Sequence, residues 1–280
     1  MKRLLAGALV CPFLPACLIV SVDNADPSID LTAVAATKYV HRGMVNNSEG
    51  VAQGEIKTTL PAKWWNQDSQ GRWWARAWGN VDLSNDTGDA WFPDGHAGEF
   101  SEIDIELGYA HTLGRVDLSA GIIDYILSNG LEFITNSPAR GARGETKEFF
   151  VTASIPLWAG ITPFVSGNWD FDEVKGFYGR TGLSKTFRVG SKLTVGLSAA
   201  VGYSDEEHAA WTYGQAPGFS AGLVDFLGEV RGTYTLDEHT EILLTGSASS
   251  IIDDEQEAWF NALGIDSNNT WLLFGFHWSY

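Results

Sequence analysis

Large apolar residues alternate with small or polar ones through most of this 280-residue chain, and this pattern limits it to strands. The C-terminal segment shows it most clearly, where Leu272, Phe274, Phe276, Trp278 and Tyr280 are separated mostly by small or polar residues. A period of two residues gives a strand two different faces. No long segment carries the period of about 3.6 residues that marks an amphipathic helix. The pattern predicts strands over 29–42, 50–61, 70–83, 99–112, 115–127, 145–157, 161–171, 175–187, 191–204, 219–235, 239–251 and 269–280.

The connections between these segments alternate in length. Those after even-numbered segments are mostly short, as at 112–114 and 188–190, whereas those after odd-numbered segments are mostly long and polar, as at 84–98 and 128–144. Membrane barrels alternate in this way, with short periplasmic turns and longer external loops. The sequence therefore predicts an all-β fold, a single transmembrane antiparallel up-and-down β-barrel of about twelve strands over residues 26–280. Ten or fourteen strands remain as alternatives.

The C-terminus supports a location in the bacterial outer membrane. Gly275 is followed by Trp278 and by the terminal Tyr280. This arrangement resembles the assembly signal of bacterial outer-membrane barrels. The resemblance implies that the barrel assembly machinery and outer-membrane lipids are partners of the chain.

The N-terminus is typical of a signal peptide. Lys2 and Arg3 precede an apolar run over residues 4–14, which is too short to span a membrane as a helix. We expect a signal peptide over residues 1–25, with a lipoprotein signal that ends at Ala16 as the alternative. In the second case Cys17 would be the acylated first residue.

Charge and cysteine usage exclude several classes of function. The net charge of −17 disfavours nucleic acid as a partner. The two cysteines, Cys11 and Cys17, lie in or at the edge of the leader, so no disulfide is expected in the barrel. The six histidines are scattered without metal-ligand spacing. We therefore expect neither a cofactor nor a metal.

Charged residues of both signs fall on the polar faces of the predicted strands. Glu102, Asp104 and Glu106 share one face, and a hairpin around 84–98 would place Arg76 opposite Asp104 or Glu106. Such a face suits a wet barrel interior. The candidate pore-lining residues are Lys38, Arg42, Arg72, Arg76, Glu102, Asp104, Glu106, Glu229 and Arg231. They predict a channel for passive diffusion of ions or small polar solutes, because rings of charge select solutes in pores.

The segment from Lys38 to Met44, Lys-Tyr-Val-His-Arg-Gly-Met, and the later Gln53-Gly54 pair are similar to the first hairpin of the TorF family of porins. That family typically has Tyr-Val-x-Arg-Gly in its first strand, and His41 stands where an aromatic residue is expected. The resemblance implies a small outer-membrane barrel with a channel function and no defined substrate.

Two alternatives to a channel remain. The first is a closed structural or adhesive barrel whose acidic loops, at 85–89, 204–207 and 253–255, bind partners. The second is an outer-membrane lipid-modifying enzyme. The Gly-Phe-Ser-Ala-Gly sequence at 218–222 fits the hydrolase elbow, but that motif requires a following helix and here a strand pattern follows. We therefore expect a protein that is not an enzyme, and its oligomeric state stays open.

Overall fold

A computed structural model describes residues 27–64, 71–85, 97–127, 145–213 and 220–280, and these residues fold mostly into antiparallel strands. The strands are β1 (Ser28–Ala36), β2 (Tyr39–His41), β3 (Met44–Asn47), β4 (Val51–Pro61), β5 (Arg72–Asp82), β6 (Phe100–Leu113), β7 (Val116–Leu127), β8 (Glu145–Ser154), β9 (Ile161–Asp170), β10 (Phe177–Val189), β11 (Leu193–Ser204), β12 (Gly222–Thr235), β13 (Thr240–Ile251) and β14 (Asn268–Ser279). Two short helices follow β11 and β13, namely α1 (Glu206–Tyr213) and α2 (Asp254–Leu263). Single helical turns lie at Ala62–Trp64 and Trp158–Gly160.

Strand β1 closes the barrel, because it pairs with β4 on one side and with β14 on the other. The strands β4 to β14 pair in chain order, so the wall has twelve strands and no free edge. This confirms the predicted fold class and strand count. The remaining strands, β2 and β3, form a separate two-stranded sheet outside the wall ladder.

The first predicted strand, 29–42, is wrong at its C-terminal end. Strand β1 ends at Ala36, and residues 37–50 form a hairpin, here called the inner hairpin, that contains β2 and β3. Its turn has positive φ at Arg42 (50°) and Gly43 (82°), which is the geometry of a tight two-residue hairpin turn. Tyr39 and Val45 pack in one buried cluster with the wall residue Trp78. Alternation could not reveal this, because the hairpin strands and the wall strands share the period of two.

The outer wall is apolar, as a lipid-facing surface must be. Leu107, Leu272 and Phe274 are 57–63% exposed, although each lies in the middle of a long strand. Two bands of outward aromatic residues flank the apolar surface: Trp73, Tyr109, Tyr234 and Phe276 near the short turns, and Trp169, Phe177, Tyr203 and Phe226 near the other end. Such girdles are typical of membrane barrels. No helix in the described residues is long and apolar enough to cross a membrane.

The inner hairpin, α1 and α2 lie at the end of the barrel opposite the short turns, which we call the outer end. Each helix begins at an aspartate: Asp205 accepts a hydrogen bond from the His208 amide (2.8 Å), and Asp253 accepts one from the Gln256 amide (2.9 Å). The acidic residues of these two loops therefore stabilise helix starts. The inward residues Ala209 and Phe260 pack with Met44 of the inner hairpin.

Several predictions fall outside the described residues. The leader, residues 1–25, and the lipidation candidate Cys17 precede the first described residue, and most of the acidic loop at 85–89 also lies outside. The signal peptide and the alternative lipoprotein signal ending at Ala16 therefore stay predictions. The mass of the mature N-terminus is the measurement that decides between them.

Candidate functional site

Polar and charged side chains occupy the inward face of the wall. Outward neighbours such as Ile56, Ile105 and Phe149 are exposed, while the residues that alternate with them are buried. The buried inward residues include Glu55 and Lys57 of β4, Arg76 of β5, Glu106 of β6, Glu148 of β8, Arg180 of β10, Asp225 of β12 and Asn269 of β14. Charges at such positions require partners or water, because desolvation of an isolated charge is costly.

The structure places every predicted pore-lining residue inside the wall, seven of them on wall strands and two on the inner hairpin. The residues Arg72, Arg76, Glu102, Asp104, Glu106, Glu229 and Arg231 lie at inward positions of β5, β6 and β12. Lys38 and Arg42, which were expected on the first wall strand, instead belong to the inner hairpin. Lys38 donates a hydrogen bond to Asn269 of β14 (3.1 Å).

One cluster of ion pairs lies on β4, β5 and β6. Arg76 is directly opposite Glu106 in the strand register and bonds to it, which confirms one of the two predicted pairings. Its Nε donates to Glu55 at 2.7 Å. Beside them, the Lys57 ammonium lies 5.5 Å from the centre of the Trp74 ring, within the range of a cation–π contact. This side of the lumen is filled by paired charges of both signs.

A second polar group joins the inner hairpin to β6. The Tyr39 hydroxyl donates to Glu102 at 2.7 Å, and the Tyr39 ring lies 5.6 Å from the Trp78 ring. Asn47, on the other hairpin strand, donates to Asp82 of β5 at 2.8 Å. The hairpin is therefore attached to the β5–β6 side of the wall through side chains.

Arg42 attaches the tip of the inner hairpin to the opposite side. Its two terminal nitrogens donate to the two carboxylate oxygens of Glu148 at 2.7 and 2.6 Å. Such a bidentate pair fixes the orientation of both groups. The guanidinium also lies 4.6 Å from the centre of the Tyr178 ring and 2.7 Å from His208 Nε2. Contacts to β8, β10 and α1 thus meet at one side chain.

The turn that carries Arg42 tolerates little change. A Cβ at Gly43 would lie 2.8 Å from Ile251 Cδ1 and 2.9 Å from Asp225 Cβ, so the hairpin tip touches β12 and β13. Arg42 itself adopts a left-handed conformation that is uncommon for a residue with a side chain. This backbone places the guanidinium at the tip, and the inner hairpin thereby crosses the lumen from β5 and β6 to β8 and β10.

A further ion pair involves residues that sequence reasoning missed. Arg180 of β10 donates to Asp225 of β12 at 2.9 Å, and the Tyr178 hydroxyl donates to the other oxygen of Asp225 at 2.8 Å. Glu148 was also missed. Alternation could have found these residues, because Glu148 has the same parity as the inward residues Thr146 and Phe150, but alternation gives no pairing across the lumen.

Replacing Asp225 tests how much this ion pair stabilises the barrel. We expect Asp225→Ala to lower the free energy of unfolding by about 3–5 kcal/mol, because it leaves the Arg180 charge buried without this carboxylate. Urea unfolding in lipid vesicles, followed by tryptophan fluorescence, measures the change. The matched control is Glu145→Ala. Glu145 pairs with Lys147 and is 53% exposed, so its replacement should lower the free energy of unfolding by less than about 1 kcal/mol. Equal losses in the two variants would contradict the expectation.

The residues of the C-terminal assembly signal lie at the seam and at the short-turn end. Gly275 is paired with Val34 of β1. The rings of Trp278 and Tyr280 stack with centroids 6.0 Å apart, and His239 lies 5.8 Å from Tyr280. Among the described residues no group of three or more His, Cys, Asp or Glu side chains has the arrangement of a metal site.

Several solved structures resemble this barrel. The COG4313 outer membrane channel from Pseudomonas putida F1 has a TM-score of 0.52 at 8% identity, covering 91% of this chain and 96% of that one. The NanC porin has a TM-score of 0.49 at 10% identity, with coverages of 90% and 98%. The KdgM porin in complex with disordered oligogalacturonate has a TM-score of 0.47 at 9% identity, with coverages of 90% and 99%.

No family model and no curated protein matches the sequence, so the similarity to the TorF family stays a prediction. At such low identities, structural likeness concerns the fold. The location follows from the closed wall, because an apolar exterior between two aromatic girdles around a polar interior suits a membrane barrel. The chain is thus a twelve-stranded β-barrel of the bacterial outer membrane, and its fold is similar to that of the COG4313 channel.

Proposed function

We propose that this protein is a channel for passive diffusion of ions or small polar solutes across the outer membrane, and that it is not an enzyme. The observation that carries the proposal is the inward face with its paired charges, such as Arg76 with Glu55 and Arg180 with Asp225. If the inward side chains served only to stabilise the wall, apolar residues would do so equally well, because buried ion pairs rarely add stability over well-packed apolar residues. Membership of the TorF family is part of this proposal.

The inner hairpin determines how such a channel would conduct. It crosses the lumen at the outer end, yet β2 and β3 form no ladder with the wall strands. Its end residues Thr37 and Gly50 have backbone hydrogen bonds to Leu272 and Leu83. Between them, attachments such as Arg42 with Glu148 and Tyr39 with Glu102 are made by side chains. The hairpin can therefore leave the lumen while every hydrogen bond of the wall ladder stays intact. We call the form with the hairpin in the lumen closed and the form with the hairpin displaced open.

Conductance in planar lipid bilayers tests the proposal. Residues 26–280, refolded and inserted into the bilayer, should give discrete conductance steps as the hairpin leaves and re-enters the lumen. The recordings are made at low salt, where fixed charges are least screened. The reversal potential under a salt gradient then shows whether carboxylates or arginines govern passage. If the chain and a variant without the hairpin are both silent after confirmed insertion, the channel proposal is wrong.

A closed adhesive barrel is the second candidate, and the hairpin in the lumen is the observation that favours it. In that case the acidic residues at the outer end, such as Glu206 and Glu207 of α1, would bind a partner while no solute passes. The complete chain would then pass no solute, and removing the hairpin would leave binding of the partner unchanged. Whether the complete chain gives conductance steps separates the two candidates.

A further inference from the structure

The contact between Arg42 and His208 fixes the protonation state of the histidine. A guanidinium nitrogen carries only hydrogen-bond donors, so His208 Nε2, at 2.7 Å from Arg42 Nη1, must accept. The ring proton is then on Nδ1, which lies 2.8 Å from the Ser204 hydroxyl. The closed form is therefore built around a neutral His208 that is 2% exposed.

A second proton on His208 would break this arrangement. The imidazolium would present an N–H to the N–H of Arg42 and place two cations in contact. Its position in the first turn of α1 adds the positive end of the helix dipole, which further disfavours the charged ring. Arg42 would keep Glu148 as its partner but would lose its link to α1.

Other charged and titratable groups surround this contact. They are His41 on the inner hairpin, Tyr125 on β7, Glu148 on β8, Tyr178 and Arg180 on β10, Asp225 on β12, and Asp205, Glu206 and Glu207 at the start of α1. Glu148 is bound by both terminal nitrogens of Arg42, and Asp225 is bound by Arg180. Glu206 and Glu207 are exposed to solvent. A further buried carboxylate that the Arg42 charge acts on, Glu102 of β6, accepts a hydrogen bond from Tyr39 of the inner hairpin. These buried carboxylates thus have partners other than His208.

We propose that His208 is an acid-sensitive latch for the inner hairpin, so that protonation of His208 releases Arg42 from α1 and favours the open form of the channel. This inference rests on the proposed channel function. It assigns a regulatory role to a residue outside the wall strands. The expected behaviour is a permeability that rises when the external medium becomes acidic.

The direction of the pH effect follows from the two forms. Burial and the neighbouring Arg42 guanidinium lower the pKa of His208 well below its ordinary value in the closed form. In the open form the ring is hydrated and titrates near its ordinary value. Below about pH 6.5 the open form therefore binds a proton that the closed form does not, and the closed-to-open ratio falls about tenfold per pH unit. The fall ends once the pH passes the pKa of the closed form.

His41 acts in the same direction. It precedes Arg42 on the inner hairpin, and burial, followed by the charges of Arg42 and its surroundings, lowers the pKa of His41 as well. The ring of His41 lies 6.2 Å from that of Tyr125, inside the lumen. A variant at His208 alone should therefore weaken the pH dependence, and a variant at both histidines should abolish it.

The test measures bilayer conductance against pH. Between about pH 7 and pH 5.5, open probability should rise by about tenfold or more in the unaltered chain, by less in His208→Gln, and not at all in His41→Gln/His208→Gln. The matched control is His111→Gln, because His111 lies at an outward position of β6 beside Tyr109 and should keep the full response. An unchanged pH response in the double variant would overturn the latch.

Thiol labelling gives a second readout that reports the hairpin itself. Residues 26–280 contain no cysteine, so Met44→Cys and Glu49→Cys each introduce a single thiol. Met44 is 6% exposed in the closed form, whereas Glu49 is exposed. The labelling rate of Met44→Cys relative to Glu49→Cys should rise on acidification by a factor similar to that of the open probability. A constant ratio would overturn the latch.

The two proposals fail in different ways. If a variant without the hairpin conducts but the complete chain shows the same open probability at every pH, the latch is wrong and the channel function stands. If the variant without the hairpin is silent after confirmed insertion, the channel function is wrong. The labelling ratio would then still report whether acid moves the hairpin.

Discussion

A chain that lacks residues 38–49 and carries Thr37→Asn should fold into the same wall and conduct on the order of tenfold more current than the complete chain, because the segment that crosses the lumen is gone. The register of β1 and β4 determines where the two ends of the chain are joined after the deletion. Ala36 and Val51 are direct partners in β1 and β4, so the substituted position 37 and Gly50 become a two-residue turn of the Asn-Gly type that hairpins favour. No pairing within the wall includes the deleted residues.

Single-channel recording measures the effect of this deletion, and a shift in gel mobility on heating confirms that the wall has folded. Thr37→Asn in the complete chain is the control, since it changes the turn residue and retains the hairpin. It should conduct as the unaltered chain does. A deletion variant that folds but conducts no more than this control would mean that the hairpin is not what limits passage.

Gly275→Val should prevent closure of the barrel. A Cβ at Gly275 would lie 2.0 Å from the Ala33 carbonyl oxygen and 2.6 Å from Val34 Cα, both of which are backbone atoms of β1. Backbone across a strand pair cannot move aside without breaking the pairing of β1 with β14, so we expect a loss of more than about 3 kcal/mol in folding stability. Heating-dependent gel mobility and near-ultraviolet circular dichroism after refolding would show little closed barrel.

The control for this substitution is Gly246→Ala on the neighbouring strand β13. Its Cβ would meet Leu272 Cδ2 at 3.5 Å, which is an ordinary contact, so the variant should fold normally. Refolding without the assembly machinery also separates two roles of Gly275. If Gly275→Val refolds well in pure lipid and fails only in cells, the glycine is needed for recognition by the assembly machinery and not for packing at the seam.

Much of the wall could be predicted from the alternation of apolar with small or polar residues alone. The predicted strand 191–204 corresponds to Leu193–Ser204, and the predicted 161–171 corresponds to Ile161–Asp170. The partner of Arg76 could be limited to Asp104 or Glu106, because the two strands are neighbours and opposite charges favour facing positions, and the structure pairs Arg76 with Glu106. Alternation and connection length are local properties, and they determine local pairing.

The lumen could not be predicted in the same way. Arg42 and Glu148 are 106 residues apart, and their strands are not neighbours in the wall, so no periodicity links them. The inner hairpin has the alternation of a wall strand, and Lys38 and Arg42 were therefore expected on the first strand. Helix α2 did carry a signal, because Asp253 followed by Gln256 fits an N-terminal cap, but residues 253–255 were predicted to be an acidic loop.

The contacts of the inner hairpin also constrain when it can reach its native position. Lys38 bonds to a residue 231 positions later in the chain, and Arg42 bonds to residues 106 and 166 positions later. None of these bonds can form until the middle and the end of the chain are in place. The first connection of the barrel thus gains these bonds only after β8, α1 and β14 have formed. Protection of the peptide bonds around Arg42 from cleavage would therefore require a complete barrel with the hairpin in its lumen.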